Sequence, residues 1–245
     1  MSNARRLAIL LVAFTMISLP AFGQDISIDL GDDGSLATRS IQMMVLITLL
    51  SLVPGLAIMI TCFPFIVTVL SILRQALGLQ QSPPNMLIVS LALFLTYFVM
   101  DPVFTESWET GIQPIMDGTL QLEEGLPIAL QPFRGFMANR LDLETFESLA
   151  TLRPDPPLYE DLATDAPMSL LVPSFLLSEI ERAFQIGFLV FLPFLIIDLV
   201  VAAILMSMGM MMVPPAIVSL PFKLAFFVVA NGWTLISGAL VRSYF

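Results

Sequence analysis

Histidine is missing from all 245 residues, and cysteine occurs once. Without histidine there is no Ser-His-Asp triad, no HExxH zinc protease and no imidazole proton relay. The single thiol, Cys62, cannot close an intrachain disulfide, so cysteine usage leaves the redox compartment open. Charge is also scarce: Asp, Glu, Lys and Arg make up 12% of the chain, against roughly 25% in an ordinary soluble domain. Ten basic residues face twenty acidic ones, a net charge of −10. Phosphate binding needs clustered Lys and Arg, and their lack excludes nucleic acid as a partner. Neither GxxxxGK[ST] nor GxGxxG occurs, so nucleotide-driven work would fall to another protein. No residue pattern calls for a metal or a cofactor, and the expectation is a chain that is not an enzyme.

What is present is apolar: 57% of the residues are hydrophobic and the mean hydropathy is +0.91, the composition of an integral membrane protein. Arg5 and Arg6 precede "LAILLVAFTMISLP", and Ala21 and Gly23 have the spacing of a cleavage site ahead of Gln24. Residues 1–23 therefore read as a secretory signal peptide, with an uncleaved anchor as the alternative. Residues 24–40, carrying Asp25, Asp29, Asp32 and Asp33, then lie outside the cytoplasm. Four apolar runs follow. Ile41 to Leu73 is longer than one straight span and contains Pro54 and Pro64, which predicts a broken helix. With the run that continues to Phe104 it makes a first hairpin over 41–104, turning at "RQALGLQQSPPN". Residues 183–241 make a second hairpin with a Met-rich turn, and 242–245 form a tail. Both turns are expected in the cytoplasm, and the acidic stretch 105–182 in the periplasm as a small helical segment. Within it, Phe133, Phe136, Met137 and Leu141 have helical spacing, and Asp142 is placed to cap "LETFESLATL". "RPDPPLYEDLATDAP" reads as loop, as do the adjacent Glu123 and Glu124, which suit a solvated loop better than acid–base chemistry. The fold class is all-α: two broken helical hairpins flanking a small helical periplasmic segment.

Three features inside these runs call for an explanation. Ser178, Glu181, Arg182 and Gln185 form a polar stripe at i, i+3, i+4 and i+7. It lines a polar path, or it belongs to a helix protruding into the periplasm with Glu179 and Arg182 as a surface pair. Asp198 is a carboxylate in mid-span, costing about 2.5–3.5 kcal/mol on insertion scales unless it meets a partner or water. Lys223 is the natural partner. Each lies roughly 12 Å from the turn at 1.5 Å per residue, so the pair closes within one hairpin or between subunits, or the two charges act alone. Exchange of the two charges is expected to restore part of the function lost by replacing either. The third feature is the turn "GMMMVPP". Met210, Met211 and Met212 are flexible and polarizable, Gly209 permits unusual backbone angles, and Pro214 and Pro215 stiffen the exit. This describes a deformable apolar lip on a fixed hinge, unless the methionines only continue a helix into the interface.

The stretches "LRQALG", "SPPN", "LALFLTYFVMDPV", "SEIERAFQIGFLVFLPFLIIDLVVAAILMSMGMMMVPP" and "LPFKLAFFVVANGW" resemble the FliP family of flagellar export-gate proteins, whose injectisome counterparts are the SctR proteins. The likeness covers the signal-like start, both hairpins and their order, and is looser from Thr105 to Ala166. It implies a core subunit of the flagellar type III export apparatus in the bacterial inner membrane and flagellar basal body. It further implies a pentamer that joins FliQ and FliR, works with the other export-apparatus proteins and membrane lipid, and passes unfolded flagellar components through a central pore. In that family the triplet matching Met210, Met211 and Met212 forms a gasket around the closed pore, and the assembled cone sits mostly above the bilayer. The chain departs from the family at Pro64 and Phe65, where relatives usually carry a basic residue, and at Asn231, where they often read "DGW". Two alternatives remain from the residues: an injectisome counterpart of the gate, or an ion channel or secondary transporter with Asp198 as its coupling site.

Overall fold

The computed structural model describes residues 36–79, 82–153, 162, 164–210 and 212–245. The expected signal peptide and most of the segment 24–40 lie outside them, as does most of the stretch 154–163. The described residues contain helices and no strand. Three helical stretches are long and apolar enough to cross a membrane: Arg39–Met59, Asn85–Met116 and Met168–Ser207. A fourth crossing results if the bent pair Pro215–Val229 and Gly232–Arg242 counts as one.

The chain divides into two compact units, residues 1–49 and 50–245. Helix α1 (Leu36–Met59) begins in the first, where its apolar side chains from Ile41 to Leu49 are exposed. Pro54 and Gly55 lie inside this helix, so the long first run does not break there. It breaks at Ile60–Cys62. Thr61 turns its hydroxyl back to the carbonyl of Ile58 at 2.8 Å and accepts from the Phe63 amide at 3.4 Å, and Pro64 suits the first turn of the next helix.

That next helix, α2 (Phe63–Ala76), has 14 residues, too few to span a bilayer. Its Phe65, Ile66, Val69, Leu70 and Leu73 are all buried, so the second part of the run is a core helix. It packs most extensively against α7 (Met168–Ser207), and also against α3 (Asn85–Ser107). Ala183 and Phe194 of α7, Ala92 and Met100 of α3, and Phe227 complete this core.

Beyond α3 the chain makes one π-helical turn, Trp108–Ile112, and a short helix α4 (Gln113–Met116) before reversing into α5 (Leu122–Arg140). The π turn lies hard against α5: a Cβ on Gly111 would fall 2.5 Å from the Cα of Ala129, so only glycine fits. Glu123 and Glu124 occupy the first turn of α5 and not a loop, an end where negative charge is favoured. Helix α6 (Leu143–Ala150) follows at once, its N-terminus capped by Asp142, whose carboxylate accepts from the Thr145 amide at 2.9 Å. Met137, Phe146, Leu171 and Phe175 form a second small core joining α5 and α6 to the start of α7. Helix α7 begins at Met168, well upstream of Ala183 where the second apolar run was expected to start. The last run also breaks, between α8 (Pro215–Val229) and α9 (Gly232–Arg242), which are bent by 62°. Asn231 supplies the left-handed residue at that bend, φ 48°.

Candidate functional site

The turn between α7 and α8 is built by its glycine and prolines. Gly209 takes φ 75°, which a side chain would resist. With that angle its amide reaches the Met206 carbonyl, and the Met210 amide reaches Leu205, both at 3.0 Å. These two bonds are the Schellman arrangement that closes a helix C-terminus. Pro214, extended at ψ 118°, caps the next helix and Pro215 opens it. The hinge residues Gly209, Pro214 and Pro215 therefore set the chain path from both sides. Between them Met210 is 39% exposed and Met212 97%. Met211 lies outside the described residues. Met206 on the last turn of α7 and Met208 at its C-cap are exposed too, so the methionine surface is wider than the triplet.

A second turn has the same construction. Gly78 takes φ 77°, its amide bonds to the Gln75 carbonyl at 2.9 Å, and two prolines follow at the same spacing, Gly78 to Pro83–Pro84 as Gly209 to Pro214–Pro215. Arg74 donates to the side-chain oxygen of Asn85 across this turn. The turn packs on α8: a Cβ on Gly78 would lie 3.6 Å from Leu220.

Below the Met-rich turn the structure brings Asp198 of α7 and Lys223 of α8 together, Nζ to Oδ2, at 2.6 Å. Two further groups complete the cluster. Ser219 donates its hydroxyl to Asp198 Oδ1 at 2.6 Å, and Lys223 Nζ donates to the main-chain carbonyl of Ala76 at 3.0 Å. Ala76 is the last residue of α2, so the ammonium fills an orphan carbonyl and meets the negative end of that helix. Lys223 is 6% exposed and Asp198 32%, so the cation is the more deeply committed partner. Ser219 lies one helical turn before Lys223, and that i, i+4 spacing is a signal the sequence held. The Ala76 carbonyl is a backbone group and left none.

The polar stripe does not stay together. Ser178 is buried, donating to the Ser174 carbonyl at 2.7 Å and accepting from the Asp142 amide at 2.8 Å. Glu181 accepts from Gln185 at 3.1 Å on an exposed face. Arg182 turns toward Glu179, 3.8 Å away. The expected surface pair is corrected here, because the Glu179 side chain is fully buried. It faces Arg140, whose Nη2 and Nε each lie 3.1 Å from Oε1, and it accepts from the Tyr244 hydroxyl at Oε2. Arg140 also donates to the Ser243 carbonyl at 2.8 Å and lies 4.0 Å above the Tyr244 ring. Burial, and then the Glu179 carboxylate, push the Tyr244 phenol well above the ordinary tyrosine range. This cluster ties the end of the chain to α5 and α7.

The FliP family model matches residues 46–240, most of the chain. The chain belongs to the FliP family. Three proteins called flagellar biosynthetic protein FliP illustrate the likeness. That of Caulobacter vibrioides is 46% identical over 247 residues, covering 99% of this chain and 92% of its own length. That of Agrobacterium fabrum is 46% identical over 215 residues, 86% of each chain. That of Bacillus subtilis is 43% identical over 222 residues, 89% of this chain and 98% of its own. The FliP match takes in both Gly-x4-Pro-Pro turns, the Asp198–Lys223 cluster and Glu179, and stops short of Tyr244.

Proposed function

We propose that this chain is a core subunit of the flagellar type III protein export gate, and that it forms the pore through which unfolded flagellar components leave the cell. The observation that carries the reading is the methionine turn. Exposed thioether side chains stand on a backbone fixed by Gly209 on one side and by Pro214 and Pro215 on the other. Flexible apolar side chains on a rigid ledge suit a seal that shuts around nothing and yields to a passing chain. The relatives' shared name, flagellar biosynthetic protein, supports the setting.

In this reading Met210, Met211 and Met212 of several copies converge on the pore axis, while Asp198, Lys223 and Ser219 hold the second hairpin to the first. Both Asp198 oxygens are already engaged, which favours a structural role over ion coupling. Apolar faces of α1, α3 and α7 are exposed in the single chain and are covered by further copies, by FliQ and FliR, and by lipid. Residues 1–23 are a cleaved signal peptide, 105–182 face the periplasm, and the assembly sits in the inner membrane at the flagellar basal body. The mass of the solubilised particle tests this. The gate requires a large assembly holding several copies with two partner proteins, and a monomer or dimer that conducts ions alone would overturn it.

A further inference from the structure

We propose that the methionine turn is an oxidation site: peroxide converts the exposed thioethers of Met206, Met208, Met210 and Met212 to sulfoxides, and the oxidised turn no longer seals the closed gate. The inference rests on the gate reading above.

Four methionines alternate along seven residues, and every one is exposed in the single chain, on the turn that the gate reading turns toward the pore and not onto a neighbouring subunit, whereas Met100 and Met137 are completely buried within the chain's own core. The backbone gives the four no retreat. Gly209 and the two bonds to Leu205 and Met206 fix the end of α7, and Pro214 and Pro215 fix the start of α8. Met206 in the last turn of α7 and Met208 at its C-cap extend the oxidisable surface beyond the triplet.

The chemistry needs no protein group. A thioether lone pair attacks one peroxide oxygen and the O–O bond breaks. An S–O bond forms, and the second oxygen leaves as water with both peroxide protons. Sulfur loses two electrons and the peroxide gains them. The product exchanges an apolar, pliable side chain for a polar one with a strong acceptor oxygen, and a ring of such groups binds water where it had excluded it. Sulfoxide reductases, one for each epimer, reverse the change.

The test uses membranes holding the full-length protein in its assembled complex, treated with hydrogen peroxide. Oxygen addition to each methionine is followed by peptide mass, and ion permeability is measured on the same samples. The turn methionines are expected to oxidise at least ~10-fold faster than Met100 and Met137. Permeability should rise in step and return to its starting value on treatment with both reductases. A variant with Leu at Met206, Met208, Met210, Met211 and Met212, compared with its own untreated state, should show no rise. The proposal fails if the turn stays reduced while Met100 and Met137 oxidise, if it oxidises in wild-type membranes without added permeability, or if the Leu variant gains the same leak. A Met210–Met212→Ala complex separates the two ideas. If it leaks while oxidised wild type stays tight, the gate stands and the oxidation proposal falls; if it stays tight, the gate reading falls and takes this proposal with it.

Discussion

The ammonium of Lys223 donates to the main-chain carbonyl of Ala76 at 3.0 Å while pairing with Asp198 at 2.6 Å. One cation thus joins the end of α2 to α7 and α8, which makes the pair directional. Exchanging the two charges puts a carboxylate against the Ala76 carbonyl and the negative end of α2, where like meets like. The charge-swapped protein is therefore expected to remain unstable, contrary to the partial rescue that the sequence alone suggests. Asp198→Ala, which strands a buried cation, should cost about 3–5 kcal/mol, and Lys223→Ala less, because the remaining carboxylate is a third exposed. Thermal unfolding in detergent ranks the three variants. A stable swap would remove the assigned role of Ala76.

Tyr244→Phe removes the hydroxyl that donates to buried Glu179, and a hydrogen bond to a charged group contributes about 1.5–3 kcal/mol. The pH profile is more specific. The folded phenol is held above its unfolded value of 10.0, so above that pH the unfolded chain loses a proton that the folded chain keeps. Stability should fall as pH rises past about 10 in the wild type, and less steeply in Tyr244→Phe. Equal alkaline slopes would contradict the burial of this group.

Asp142 caps α6, and its bonds to the Thr145 amide and hydroxyl hold its carboxyl below the ordinary value. The sign is opposite to that of Tyr244. The cap's contribution is present above the unfolded value of 3.8 and is lost as pH falls through the lowered folded value. Amide exchange in α6 should accelerate at low pH in the wild type. The side-chain amide in Asp142→Asn still caps but does not titrate, so exchange rates in that variant should lack the acid dependence.

Gly209→Ala forces a side chain into the left-handed region and should cost about 1 kcal/mol. Gly55→Ala is the matched control. It lies inside α1 with nothing within 4 Å of an added Cβ, so alanine should be neutral or stabilising there. Paired melting curves check the contrast.

Which parts of this architecture were legible follows from where each signal lives. Long apolar runs announced the all-helical class, and the Gly-x4-Pro-Pro turns announced themselves because backbone angle and missing amides are properties of those residues. The break in the first run was harder to place. Pro54 costs its helix a single amide donor and is carried inside α1, whereas at the break the Thr61 hydroxyl takes the Phe63 amide in place of a helical carbonyl. The burial of Glu179, which one of the two readings of its helix places on the surface, is not legible because its partners are remote. Arg140 is 39 positions away and Tyr244 is 65, and no local spacing shows such a pairing.

The most direct measurement is the permeability of membranes carrying the assembled complex with Met210, Met211 and Met212 all replaced by Ala. Met210 and Met212 are exposed on the turn and contribute to neither core, so the complex should still form while small ions pass freely. An assembled triple-Ala complex as ion-tight as the wild type would contradict the gate, as would a failure to assemble, the outcome expected of packed core residues that each lose about 2–5 kcal/mol.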